Sequence, residues 1–203
     1  PIFRSKIMSK LEVSTDYGSI HLSAKPEIKL AALIEITQSL SRSVSVQDIL
    51  PRLLDSLFKV FVQADRAFII MNDPEKNRLV PAAMRHRRVG DEERVRISQT
   101  IVREAMEHKE AILSADATSD QRFSMAESIA DFRIRSLMCA PMINLEGEPL
   151  GVIQVDTVNQ RNRFNEHDLE VLASVASQAG MAVDNARMHG RVFEQNALAR
   201  DLG

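Results

Sequence analysis

GVIQVDTVNQRNRFNEHDLEVL, residues 151–172, passes from a strand through a polar bend into a helix. Val152, Ile153 and Val155 are β-branched residues of the kind strands favour. After the bend, Asn165 can serve as the N-cap of a helix. Asp168 then falls three positions on, where a carboxylate reaches back to free amides and meets the positive helix end, while Phe164 can staple onto Leu169. The helix so begun is expected to run near to the chain end. Leu169, Leu172, Ala176, Ala179, Val183 and Ala186 alternate steps of three and four, the rhythm of a packed seam. Gly180 among them lets another backbone approach closely.

Upstream of this stretch, SLMCAPMIN and LGVIQVD are joined by LEGEP, whose Gly147 supplies the freedom a tight return needs, so the pair reads as a hairpin. A second hairpin is predicted from RAFIIMN (66–72) and RLVPAAMR (78–85) around DPEKN. Pro81 cannot donate to a ladder, which places its strand at an edge or a bulge. Adjacent hairpins imply a mostly antiparallel sheet. Between them, SQTIVREAMEHKE (98–110) reads as a helix with Ser98 as cap, and AILS as a short strand.

Toward the N-terminus, PEIKLAALIEITQSL (26–40) carries Leu30, Leu33, Ile34 and Leu40 on one helical face. A second helix presents a stripe from Ile49 to Phe61 wide enough to pack on a sheet. Ser45 could form a capping box with Asp48, but Pro51 would then lie inside the helix at a cost of about 3 kcal/mol. A start at Asp48 is therefore expected. Residues 1–24 read as a linker or the tail of a preceding domain.

A chain of 203 residues, 44% hydrophobic, suits one core with helical arms. With 26 basic and 28 acidic residues there is no global field to attract nucleic acid or an anionic membrane. Cys139 is the single cysteine, so no disulfide, CxxC pair or Cys-rich zinc site can form within the chain. It sits in an apolar run as a small hydrophobe, and a reducing cytoplasmic setting is expected. No segment has the length and apolarity of a membrane span or signal peptide. A start at Pro1 and a helical end suggest an excised fragment. His21, His86, His108, His167 and His189 are dispersed and no GxSxG elbow occurs, so neither an enzyme, a metal site nor a cofactor is expected. RHRRVGDEERVR (85–96) reads as a solvated loop, with a partner or phosphate contact as the alternative.

The order of these elements, together with ADRAFIIMND, IRSLMCAPMINLEGEPLGVIQVD and FNEHDLEVLASVASQAGMAVDNARM, resembles a GAF domain. The resemblance implies an α+β fold: an antiparallel sheet of five or six strands, with long N- and C-terminal helices packed on one face. It implies a small-molecule pocket under lid segments on the other face, and a homodimer paired through the terminal helices. The domain would occupy 25–190, and 191–203 would be a helical linker toward an output domain. SAKPEIKLAALIEITQSL and VFEQNALARDLG also resemble linkers of bacterial signalling proteins that combine forkhead-associated, GAF and PPM-type phosphatase domains.

Cyclic-nucleotide-binding members carry Asn-Lys, a gap, Phe, three residues and Asp-Glu. Asn159, Phe164 and Asp168 match that pattern, but Gln160 and Leu169 stand where Lys and Glu would be, so its Lys to Asp ion pair cannot form unless Arg161 or Arg163 substitutes. A cyclic nucleotide is one candidate ligand. DATSDQRF and the residues after it offer apolar walls with a few orienting groups, and Asp116, Phe123, Ile129, Phe132 and Arg135 are the candidate pocket lining. Leu30, Leu33, Leu40, Leu169, Leu172, Ala176 and Val183 are the candidate dimer or helix seam, with packing onto the chain's own sheet as the alternative use of the same face.

Overall fold

The computed structural model describes residues 9–12, 26–41, 45–73, 75–76, 78–87, 99–114, 136–158 and 163–201. Its helices are α1 (Pro26–Ser41), α2 (Val46–Val60), α3 (Gln99–His108) and α4 (Glu166–Asp201). Its strands are β1 (Ser9–Glu12), β2 (Arg66–Asp73), β3 (Arg78–His86), β4 (Glu110–Ser114), β5 (Ser136–Ile143) and β6 (Pro149–Thr157). They form one six-stranded sheet in the order β1-β4-β5-β6-β2-β3. Every neighbouring pair is antiparallel.

Both predicted hairpins are present, each closed by local chemistry. In β5–β6, Gly147 adopts φ +78 and donates to the Asn144 carbonyl. In β2–β3, Asp73 Oδ1 accepts from the amides of Glu75 and Lys76, an Asx turn. Pro81 lies on the edge strand β3, where the register slips between Ile69 and Ile70. The hairpins meet through β6 and β2, with Arg66 opposite Asp156 and Met71 opposite Gly151.

Two expectations are corrected. Ser9–Glu12, inside the stretch 1–24 read as linker or tail, pairs with β4 as an edge strand of the sheet. Helix α2 begins at Val46 rather than Asp48: Ser45 caps it, its hydroxyl accepting from the Asp48 amide at 3.2 Å, and Pro51 stands inside. The missing N–H of Pro51 would have served the carbonyl of Gln47; both residues are exposed, so solvent can serve that carbonyl instead. The Ser45 cap, which takes up the otherwise free Asp48 amide, offsets the lost bond.

Alternation along the strands gives the sheet two unlike faces. On one, Ala67, Ile69, Met138, Ala140 and Val155 pack under α2 and α4 in the larger core, with α1 stacked on those two helices. On the other, Phe68, Ile70, Ile112, Leu137, Cys139 and Val152 form a smaller cluster with Ile101, Val102 and Ala105 of α3. Helix α4 reaches the sheet through Gly180, where an added Cβ would lie 2.4 Å from the carbonyl oxygen of Ile143 on β5. The close approach expected of Gly180 is thus made to a strand of the same chain.

Candidate functional site

The start of α4 follows the capping arrangement. Asn165 donates its backbone N–H to Asp168 Oδ2 and accepts the Asp168 N–H on Oδ1, both at 3.0 Å, and the Leu169 N–H bonds the Asn165 carbonyl. Gln63 adds a bond to Asp168 Oδ2 at 3.2 Å. Phe164 is buried edge-on to Phe61, with ring centroids 6.1 Å apart. Asp168 is therefore engaged in starting a helix and holding the loop after α2; Asn159 and Gln160, the other end of the signature, lie outside the described residues.

The arginine-rich run is structural where it is described. Arg85 pairs with Asp55 of α2 at 2.9 Å. Arg87 donates to the carbonyls of Ala64 and Phe58 and stacks over the Phe58 ring at 4.9 Å, closing the C-terminal end of α2.

Of the candidate seam, Leu33, Leu40, Leu169, Leu172, Ala176 and Val183 are buried within the chain's own larger core. Leu30 is 49% exposed, as is Ile34 at 48%, so this stripe of α1 faces away from the chain. The candidate pocket residues Asp116, Phe123, Ile129, Phe132 and Arg135 lie outside the described residues. They belong to the segment that leaves the sheet at Ser114 and re-enters it at Ser136.

At that end of the sheet, on the α3 face, the register lines up a row of side chains that the sequence reading did not single out. His86 is opposite Arg66, Arg66 opposite Asp156, Asp156 opposite Leu137, and Leu137 opposite Ser114. Gln154, two residues before Asp156, shares the face one row further in. Arg66, Asp156, Gln154 and Ser114 are all buried. Arg66 Nε donates to Asp156 Oδ1 at 2.8 Å. Burial pushes the Asp156 carboxyl up to about 6, against the opposing pull of the Arg66 guanidinium and the Gln154 amide. The next residues tie the row down: Asp65 accepts from the Thr157 hydroxyl and the Val158 amide, and Ser136 Oγ donates to the Ser114 carbonyl while accepting from the Phe164 amide. A signal did exist in the sequence: Arg66, Gln154 and Asp156 keep one parity along otherwise apolar strands, a polar stripe on a face that should be dry.

Cys139 lies in the middle of this face with no exposed surface, and burial pushes its thiol up to about 12, so a thiolate is strongly disfavoured. Among the described residues there is no cluster of three His, Cys, Asp or Glu able to hold a metal, and no helix long and apolar enough to cross a membrane.

The sequence model of the GAF domain family matches residues 43–184. The chain is 31% identical over 98 residues to the dual 3′,5′-cyclic-AMP and -GMP phosphodiesterase 11A of Takifugu rubripes, covering 47% of this chain and 11% of that protein. It is 28% identical over 116 residues to the dual phosphodiesterase 11 of Drosophila melanogaster, covering 55% and 8%. The match thus spans about a tenth of those relatives. Among solved structures, the GAF domain of a phosphoenolpyruvate-protein phosphotransferase from Coxiella burnetii superposes with a TM-score of 0.67 at 18% identity, over 83% of this chain and 99% of that one. A free methionine-R-sulfoxide reductase from Neisseria meningitidis, solved with its substrate, gives 0.65 at 17% identity, over 84% and 98%. These likenesses are of fold. The chain belongs to the GAF domain family, whose members serve as regulatory and sensory modules of signalling proteins.

Proposed function

We propose that this chain is a non-catalytic sensory module: a small molecule binds on the α3 face of the sheet and biases how the terminal helices of two copies pack, controlling an attached output domain. The observation that carries the reading is the asymmetry of the sheet. One face is closed by α2 and α4 over an apolar core, whereas the other carries a buried polar row at the end where the segment 115–135 joins the sheet. Pockets that hold small molecules combine such apolar walls with a few fixed polar groups. Ser136 supports a connection between the two faces, because its hydroxyl bonds both Ser114 beside the row and the backbone of Phe164 at the entry to α4. A signal passes only if the ligand binds the two helical arrangements with different affinity.

Dimerisation through the helical arms is part of the proposal. The exposed Leu30 and Ile34 on α1 offer an apolar stripe, and α4 continues to Asp201, well past Ala186, the last of its buried residues among those described. A helix that outruns its own core is marginal alone and stabilised by a second helix. A second copy of this chain is the proposed occupant. The cytoplasm is the proposed setting, and an effector such as a PPM-type phosphatase following the helix is the proposed partner in the full-length protein.

Native mass spectrometry of the purified chain tests both halves, since it reports bound small molecules and dimers together. A thermal shift screen that includes cyclic nucleotides complements it: a ligand at about 100 times its dissociation constant stabilises by about 2.7 kcal/mol, hence a rise of roughly 5–10 °C. Dimers together with a ligand-dependent shift are expected. A dimer with a flat response to every ligand would instead mark a dimerisation scaffold with a filled pocket. Single chains at micromolar concentration would overturn the relay.

A further inference from the structure

The sheet has two edges, and they are guarded differently. An edge strand presents a row of free N–H and C=O groups on which another strand can add, and folds blunt such edges with proline, charge, bulges or shortness. Edge strand β3, nine residues long, carries its own guards: Pro81, the slip of register opposite Ile69 and Ile70, and Arg85 held by Asp55. Strand β4, next to the opposite edge, has little of this. Its sequence EAILS contains no proline and one charge, and Ala111, Ile112 and Leu113 are buried. What covers it is β1, four residues of sequence SKLE. Short and charged, β1 is itself a poor template for a further strand.

Strand β1 is also weakly attached. Its ladder to β4 runs over four residue pairs, from Ser9 opposite Leu113 to Glu12 opposite Glu110. Its one apolar residue, Leu11, is 37% exposed, whereas Leu113 on the strand it covers is 1% exposed. It lies outside residues 43–184 matched by the family model, and residues 13–25 separate it from α1. A strand held by a few backbone bonds, with little apolar burial, belongs to the low-stability end of a fold and opens without the rest. Opening leaves the outward N–H and C=O groups of β4 beside an apolar run, and those groups require new partners.

We propose that β4 is a strand-docking edge and that residues 9–12 are its detachable occupant, which in place keeps two copies of the chain from joining β4 to β4 in one continuous sheet. An antiparallel junction between identical strands is isologous, with a twofold axis carrying each strand onto the other. The edge already takes a strand in antiparallel sense, as β1 shows. A register centred on Ile112 sets Glu110 against Ser114 of the partner subunit, so the single charge of the strand does not meet itself.

A Lys10→Pro/Leu11→Pro variant of the chain tests this. Successive residues of a strand point their N–H groups to opposite sides, so the two prolines remove whichever bond faces β4. Light scattering on a sizing column gives the mass of parent and variant, and far-UV circular dichroism reports whether the variant folds. The folded variant is expected at about twice the mass of the parent. A synthetic peptide of residues 6–15, added in excess, is expected to refill the edge and return the parent mass. A folded variant of parent mass, or a heavier one indifferent to the peptide, would overturn the inference. Because each mass is read against the parent's own, pairing through the helical arms does not enter the comparison. Hydrogen exchange of the parent chain decides the matter where the variant does not fold. The amides of residues 9–12 are expected to exchange about a hundredfold faster than those of β5. Exchange as slow as that of β5 would show that the strand does not detach and would overturn the proposal.

Discussion

Two glycines on α4 should respond in opposite directions to the same substitution. In an exposed helix interior, Gly→Ala stabilises by about 1 kcal/mol through backbone entropy alone. Gly190 is such a site: a Cβ there meets nothing within 4 Å. At Gly180 the new Cβ would lie 2.4 Å from the oxygen, 2.7 Å from the nitrogen and 2.9 Å from the carbonyl carbon of Ile143. These are backbone atoms of β5, fixed by the ladder with β6, so no side chain can swing aside. The helix must instead lift by about 1 Å, which weakens the dispersion contacts of Ala176, Ala179 and Val183 by a quarter to a half. Overpacking of this kind costs about 3 kcal/mol, and the propensity gain returns about 1 kcal/mol, leaving a net loss of about 2 kcal/mol. For a chain of this size Gly180→Ala should melt about 4–8 °C lower than the parent and Gly190→Ala about 2–4 °C higher. Thermal denaturation followed by far-UV circular dichroism measures both. A Gly180→Ala variant stabilised as much as Gly190→Ala would refute the contact between α4 and β5 and, with it, the layering of the fold.

The capping box of α4 should cost about 1 kcal/mol when Asn165→Ala removes the acceptor of the Asp168 amide, read as a lower urea midpoint at unchanged slope. Asp156 should make stability depend on pH. Its folded pKa of about 6 lies above the ordinary 3.8, so the folded chain holds the proton more tightly. The stabilisation from this group is complete below 3.8 and is lost as pH rises through about 6. Melting temperatures across that window should therefore fall less steeply in Asp156→Asn than in the parent, and identical slopes would show that the carboxyl is not desolvated.

Local punctuation in the sequence reports local structure faithfully here. The Asn165–Asp168 box, the Gly147 turn, the Asx turn at Asp73 and the edge position of Pro81 each depend on backbone groups only a few residues away. The α2 start shows the limit of that logic. Proline's local cost predicted a helix beginning at Asp48, yet the Ser45 cap on the Asp48 amide shifts the balance toward the earlier start.

The seam on α4 was visible as an apolar periodicity in the residues themselves, as was the family likeness. Periodicity states that a face is buried and not what covers it, and only the tertiary structure gave Leu169, Leu172, Ala176 and Val183 to the chain's own core while leaving Leu30 outside. The joining of the two hairpins through β6 and β2, the addition of β1 at the far edge, and the row from His86 to Ser114 were likewise decided at that level. Strands distant in sequence find their neighbours by competing for long-range contacts, and a polar atom becomes part of a site only once that competition has buried it beside the others.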